Sequence, residues 1–414
     1  MKNKQKIDLS RIDYLLLVGV LFLVILGAAT VYSASSFKAE QTTGDAAYFF
    51  KNQLARVFIG IVLMVIVASV DYRKWLGISP LIYTFGIFML LLLFSGMPFV
   101  IKVSEARRWL RFGPIQFQPS DFARYALILL MARVLYEKRE KMKEFWGGFV
   151  AYMSLVGLVV FFIAMEKDLS TAVIVGLIAF LMFYFADVKL SYLLSAMLSF
   201  TTLAMLYMMR TPYQLERVHK FIDQLLHRAP LAWQLQQSLI GMALGGILGQ
   251  GIGNSRQKYA FLPEAHKDFI YSVIGEEAGF IGTLIVLVLF GLIIYRGLKI
   301  AQYAPDGYGR LLAGGITACI ATYAMLNASV ALGIVPTTGI PMPFISYGGS
   351  ALVSHLAAVG LLINISSQCD PSYANYLNRD TFEEHLNRTT FKKRKSSGRI
   401  AKKYKGKYAT ASRS

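Results

Sequence analysis

Charge is scarce in this chain. Only 16% of its 414 residues are Asp, Glu, Lys or Arg, against 55% hydrophobic ones. A soluble domain has about a quarter of its residues charged and just under half apolar, so the balance excludes an ordinary soluble enzyme. Cysteine and histidine are scarcer still, at 2 and 5 residues. Cys319 and Cys369 give no framework of bridges and read as free thiols, and the scattered histidines make no HxxxH spacing for zinc. No internal repeat of about 20–50 residues is visible, which argues against a solenoid. Disorder of the whole chain is excluded by 13% aromatics and a mean hydropathy of +0.49.

What the chain has instead is long apolar runs. Ten of them can cross about 30 Å of hydrocarbon. They lie near 14–32, 54–70, 76–101, 121–136, 146–165, 169–186, 190–208, 269–295, 311–335 and 350–366. The first is longer than the apolar core of a cleaved leader and reads as an anchor. The pattern predicts an all-α, polytopic integral membrane protein of about ten transmembrane helices. A short N-terminus (1–13) precedes a membrane domain over 14–368, with a large loop at 209–268 before the eighth span. A tail over 369–414 follows. From Pro371 onward the tail holds 12 Lys/Arg against 3 Asp/Glu and no apolar periodicity. It reads as disordered, lying on anionic lipid or binding a cytoplasmic protein. Nothing aromatic or folded accompanies its charge, so nucleic acid is a poor partner.

Cationic loops stay on the cytoplasmic side of a membrane. Lys2, Lys4, Lys6 and Arg11 place the N-terminus there, and ten spans return the C-terminus, with Lys392, Lys393, Arg394 and Lys395, to the same side. The loop with Arg133, Lys138, Arg139, Lys141 and Lys143 agrees, as does the one with Arg296, Lys299 and Arg310. Arg107, Arg108 and Arg111 then fall outside. So does the 209–268 loop with Arg210, Arg217, Lys220, Arg228, Arg256, Lys258 and Lys267. Cations kept on the disfavoured side suggest an anionic ligand at the outer surface, although a loop that merely tolerates charge reads the same way.

Three polar clusters could carry chemistry. Leu262 to Ile270 ends the long loop and runs into a span. Pro263 suits the first turn of a helix, which would put Glu264 and Asp268 on one face. Asp268 is the last charge before the apolar run, either at the membrane–water boundary as a reactive group or as a solvated helix-start acid. Glu276 and Glu277 lie deeper in the same span, where a carboxylate needs a partner or a wet cavity. The second cluster is Arg107, Arg108, Trp109, then Gln118, Pro119, Ser120, Asp121 and Arg124. Ser120 can cap the fourth helix, with Asp121 in its first turn. Arg124 enters the apolar run, paired with Asp121 or facing a phosphate. The third is Pro336 to Ser350, whose three prolines cannot make a continuous helix. Irregular backbone at membrane depth must be buried or line a cavity; a plain outer loop is the alternative. Gly249, Gly251 and Gly253 follow no strand and are a poor match to a dinucleotide loop.

These residues resemble the SEDS family (shape, elongation, division and sporulation) of FtsW/RodA type. The resemblance covers about residues 12–368. It rests on Val31 to Ser35, Ala106 to Trp109, Gln118 to Asp121, Asp168 to Ala172, Pro263 to Asp268 and Pro336 to Ser350. Pro263-Glu264-Ala265-His266, Ile274 to Glu277 and Pro336 to Gly339 lean toward the division-type FtsW branch. Asp121 and Arg124 stand where the family usually has glutamate and lysine, and Glu105 and Ser170 where it usually has glycine. An arginine cannot readily carry a proton, so an acid–base role at 124 is not expected.

The resemblance implies a peptidoglycan glycosyltransferase that polymerises lipid II into glycan strands for septal wall synthesis. It implies a multi-pass protein of the bacterial cytoplasmic membrane, at the division septum. A class B penicillin-binding protein and other divisome membrane proteins would be its partners. Asp268 maps onto the family's essential acid and is the expected general base. Arg107, Arg108, Arg124 and Arg217 are the expected diphosphate-binding cations, which a divalent ion (Mg or Mn) could assist. Trp109 would stack on sugar or anchor at the interface. Asp121, Glu264, His266, Glu276, Glu277, Ser346 and Tyr347 complete the expected substrate site. A lipid II flippase and a non-catalytic scaffold are the alternatives, but the polar clusters gather on one side of the bilayer.

Overall fold

The computed structural model describes residues 12–103, 106–113, 115–226, 228–255, 262, 264–369 and 373. The N-terminal lysines and Arg11, Glu105, Arg256, Lys258, Pro263 and nearly all of the basic tail lie outside the described residues. One compact unit runs to Gln368 and a second begins at Cys369.

A helix follows each of the ten apolar runs. In chain order they begin with α1 (Tyr14–Thr43), α2 (Tyr48–Ser69) and α3 (Tyr72–Leu92). Then come α4 (Pro119–Glu137), α5 (Ala151–Met165, entered through a π turn over Phe145–Val150), α6 (Leu169–Phe185) and α7 (Leu190–Met209). Two helices of the long loop, α8 (Pro212–Leu225) and α9 (Trp233–Gly245), precede α10 (Ile270–Tyr303), α11 (Gly307–Ala331) and α12 (Gly349–Ser366). Eight of the described helices, counting α5 with its π turn, are long and apolar enough to cross a membrane. The other two of the ten are α6, apolar but only 17 residues long, and α4, which carries Asp121, Arg124, Arg133 and Glu137.

Burial separates the centre from the rim. The most apolar stretch of α11 is 83% buried and that of α12 78%, whereas that of α7 is 6% buried and faces outward. An outward apolar face needs lipid around it. Local chemistry sets the helix ends. Asp13 caps α1 by accepting from Leu16 N at 3.0 Å, and Gly44 closes it in the left-handed conformation at φ 71°. Asp306 caps α11 through Gly309 N at 2.8 Å.

Two features depart from the sequence reading. The loop between α3 and α4 is a three-stranded antiparallel meander, β1 (Val100–Val103), β2 (Ala106–Phe112) and β3 (Ile115–Phe117), so the protein is not wholly helical. The central strand, β2, buries only Leu110 and shows no alternation that a sequence could reveal. Likewise, 209–268 is no simple loop. After α9 the chain doubles back along α10, where Gly279 interrupts the helix at φ 67°. Gly246 O and Ile247 O accept from Phe280 N and Ile281 N, while Gln250 N and Gly251 N donate to Glu276 O and Glu277 O. A Cβ on Gly279 would lie 2.4 Å from Gly249 N, and one on Gly249 2.1 Å from Glu277 O. The glycine run is therefore a backbone-to-backbone contact that satisfies the broken helix.

At the end where α1 starts, a buried and a half-exposed ion pair hold the helices together. Arg296 of α10, expected in a loop, is 1% exposed and meets Asp13 at 2.9 Å. Arg73 Nε donates to Asp306 at 2.9 Å, and Tyr72 OH donates to the same carboxylate at 2.6 Å. The opposite end carries the sheet, the 264–268 turn and the 336–348 segment.

Candidate active site

The segment before α10 is a hydrogen-bonded turn and not the first turn of a helix. Glu264 is left-handed at φ 55°, Lys267 N and Asp268 N donate to Glu264 O, and α10 starts only at Ile270. The turn is held from below by an apolar cluster of Leu262, Ala265, Phe269 and Val273 with Ala34 of α1 and Val330 of α11. Burying Phe269 alone contributes about 1.5–3 kcal/mol. Above, Glu264 is bonded by Lys38 of α1 and by Lys267 at 2.6 Å. Burial pushes its carboxyl up, but the two lysines outweigh that and hold it at about 2.

Asn327 of α11 stitches this turn to the proline-rich segment, donating to Asp268 O at 2.9 Å and Ile340 O at 2.7 Å. Tyr347 N adds a bond to His266 O at 2.9 Å. Residues 336–348 form no helix, yet Ile340, Met342, Phe344, Ile345 and Ser346 are buried. The segment is packed in protein, as irregular backbone in a membrane must be, and is not a plain loop. It puts Gly339, at φ 66°, directly against Asp268, where an added Cβ would lie 3.4 Å from Oδ2.

Asp268 is partly buried, and burial raises its pKa to about 6. Lys267 and Arg217 pull it down while Glu264 and Asp168 push it up. The carboxylate is therefore mostly ionised at neutral pH, yet far more basic than an ordinary aspartate, as a general base requires. Arg217 lies on α8 and lines a groove of about 210 Å³ with Lys220, Phe221, Leu235, Pro336 and Thr337.

The second polar centre lies where α4, α6, α11 and α12 meet. Ser350 Oγ donates to Asp121 at 2.7 Å, and Arg124 lies 3.4 Å from the same carboxylate. The Arg124 guanidinium is fully buried, 4.2 Å from the Tyr323 ring centroid and 5.1 Å from that of Tyr125. All three of its nitrogens lack a hydrogen-bond acceptor. Ser120 does not cap α4, because Gln118 occupies that position and Pro119 starts the helix. Asp168 caps α6, accepting from Thr171 N at 3.2 Å. Glu166 beside it is 1% exposed, with neither carboxyl oxygen hydrogen-bonded. Burial, then Asp168, pushes the Glu166 carboxyl well above the ordinary range.

The other predicted residues divide. Arg108 is engaged by the α5–α6 turn, donating to Glu166 O at 3.3 Å and to Lys167 O, and lies 3.8 Å from Asp168. These contacts hold its guanidinium against the α5–α6 turn. Arg107 and Trp109 are half-buried on β2. Glu277 accepts from Ser33 of α1 and Glu276 from Ser255, so hydroxyls meet both carboxylates. His266 is packed between Phe49 and Tyr347, at 4.9 and 5.5 Å between ring centroids. Burial lowers its pKa to about 4, so it is neutral at pH 7. Ser346 closes its own turn by accepting from Met342 N at 2.8 Å. Both residues build the wall of the site.

A family model described as cell cycle protein, FtsW/RodA/SpoVE, matches residues 13–370. The chain belongs to this family. A protein named "Probable peptidoglycan glycosyltransferase FtsW" from Geobacter metallireducens is 37% identical over 364 residues, 87% of this chain and 96% of that one. Stage V sporulation protein E of Bacillus subtilis is 36% identical over 355 residues, 86% of this chain and 96% of its own. Among solved structures, a chain from work on polymerization and crosslinking by a peptidoglycan synthase complex superposes with a TM-score of 0.69. It is 26% identical and covers 86% of this chain and 97% of that one. FtsW/RodA/SpoVE membership accounts for the ten-helix domain.

In this FtsW/RodA/SpoVE chain, the sequence reading missed Asp168, Lys38 and Asn327 as site residues. Only Asp168 had left a signal, as the first residue of the motif through Ala172. Among the described residues no three His, Cys, Asp or Glu side chains group to hold a metal ion. The described residues do not fit a protein-only cage for Mg²⁺ or Mn²⁺.

Proposed function

We propose that this chain is a peptidoglycan glycosyltransferase that polymerises lipid II into glycan strands, with Asp268 as general base. The observation that carries the reading is the environment of Asp268. An acid raised to about 6 stands at the end of a membrane helix, backed by a residue without a side chain, Gly339. The relatives' names support the reaction class. In the reaction Asp268 takes the proton from a sugar 4-hydroxyl as that oxygen bonds to the anomeric carbon of the second lipid II. The bond from that carbon to the lipid diphosphate breaks, and the diphosphate leaves with the electron pair. Arg124, which has no acceptor for its donors, and Arg217 of the groove stabilise the departing charge. Glu264, Arg108, His266, Ser346 and Asn327 hold the frame.

The protein acts in the bacterial cytoplasmic membrane with both termini cytoplasmic and the Asp268 end outside, as its cationic segments favour. We place it at the division septum with a class B penicillin-binding protein that crosslinks the new strand. A structural neighbour described as coordinating polymerization and crosslinking supports that pairing. The test is polymerisation of purified lipid II by wild type and Asp268→Asn, each with the partner. A loss of about 10²–10⁴-fold with an unchanged melting temperature is expected. Full-length strands from the folded variant would remove Asp268 from the mechanism.

A further inference from the structure

A further cation borders the first polar centre through Tyr347. Arg56 is the ninth residue of α2, a helix long and apolar enough to span a membrane. Ionisable side chains are costly inside a membrane and mark functional sites unless they are paired. Among the described residues no carboxylate lies within ion-pair distance of Arg56, and its Nη1 is buried with no hydrogen-bond partner. Its guanidinium sits 4.5 Å from the Tyr347 ring centroid. It also lies against Gly349, where an added Cβ would be 3.2 Å from Nε and 3.3 Å from Cζ. Gly349 opens α12, whose N-cap residue, Gly348, makes no side-chain capping bond. One turn nearer the helix start, Gln53 is fully buried; its Nε2 donates to Ser346 O and its Oε1 is unpartnered.

The direction of α2 matters. Side chains on a helix tilt toward its N-terminus, and the N-terminal end of α2 is the end that holds the Asp268 turn. Arg56 is half-buried, while Leu54, Phe58 and Ile59 around it are exposed apolar residues. The guanidinium therefore lies at the seam between α2 and α12, reaching from apolar depth toward the headgroup level. Its location suits an anion attached to a hydrocarbon chain better than one arriving from water.

We propose that Arg56 binds the phosphate of a membrane-embedded lipid at the α2–α12 seam, with Tyr347 as its platform and the first turn of α12 adding backbone donors. The same chemistry is offered by the polyprenyl diphosphate of the substrate and by an anionic phospholipid headgroup. The first source rests on the polymerase reading; the second does not.

The experiment compares wild type, Arg56→Gln and Arg56→Lys, purified in detergent and matched for melting temperature. Farnesyl diphosphate binding is measured directly, lipid II KM and kcat by turnover, and stabilisation by phosphatidylglycerol by thermal shift. If the substrate diphosphate is the ligand, Arg56→Gln weakens farnesyl diphosphate binding and raises KM by about tenfold, as expected for one charge-assisted contact. In that case kcat stays within about twofold, and lysine restores part of the loss because it keeps the charge without the fork. If the ligand is a phospholipid, only the thermal shift by phosphatidylglycerol is lost. A folded Arg56→Gln variant that matches wild type in all three readouts overturns the proposal. Wild type that binds farnesyl diphosphate but makes no polymer would refute the polymerase reading and leave the Arg56 comparison intact.

Discussion

At the end of the bundle where α1 begins, Arg296 meets Asp13 at 2.9 Å and Arg73 meets Asp306 at the same distance. At the opposite end, the buried Arg124 has no acceptor for any of its three nitrogens and Glu166 no partner for either oxygen. Both ends bury charge in an apolar bundle, Arg296 beside Asp13 and Arg124 3.4 Å from Asp121, so neither burial nor a nearby carboxylate separates them. Hydrogen bonding does: Arg296 donates to its carboxylate and Arg124 does not. A protein that leaves buried polar groups unsatisfied has a reason at that place, either a ligand or a proton. Tyr308 OH and Trp75 Nε1 at the first end also lack a hydrogen-bond partner, so the contrast is one of charged groups alone, and it can be broken by mutation.

The largest effect is expected at the paired end. Asp13→Ala leaves Arg296 buried and uncompensated and should cost about 3–5 kcal/mol, read as a lower melting temperature and yield. Turnover per folded molecule should stay near wild type; a catalytic defect without destabilisation would dissolve the contrast. Next, Arg124→Gln should cut polymerisation per folded molecule by about 10²-fold, the loss expected for one preorganised donor, and should also lower the melting temperature because Asp121 loses its ion pair. Gly339→Ala comes third. A left-handed alanine costs about 1–3 kcal/mol, while its Cβ would meet Asp268 Oδ2 at an ordinary contact distance of 3.4 Å, so stability should fall more than activity per folded molecule does. The smallest effect belongs to Lys38→Met, which removes one of two lysines from a half-exposed Glu264 and should cost under about 1 kcal/mol. Acid should mimic it. Glu264 sits below its ordinary 4.5, so its contribution is present above that pH and disappears as pH falls through about 2, measurable as a loss of melting temperature.

Apolar runs alone gave the position of every long helix, because spanning hydrocarbon demands length and composition that little else imitates. Polar helix ends were invisible to that test. The first run ends near residue 32, yet α1 continues to Thr43 and delivers Lys38 to Glu264. The β-meander escaped because its strands are short and β2 does not alternate buried with exposed residues, and the backbone junction at Gly249 and Gly279 because glycine runs usually mean loops. Asp268 was legible as the last charge before a span. Its neighbour Asn327 was not, since nothing local says that α11 reaches that turn, while Asp168 had left only its motif.

The central claim is that burial has tuned Asp268 into a base. The most direct test is kcat/KM for lipid II against pH, which reports the free enzyme's essential base. The account predicts an acid limb with its midpoint at about 6, absent from the residual activity of Asp268→Asn. A midpoint near 4, or the same limb surviving in the variant, would contradict it.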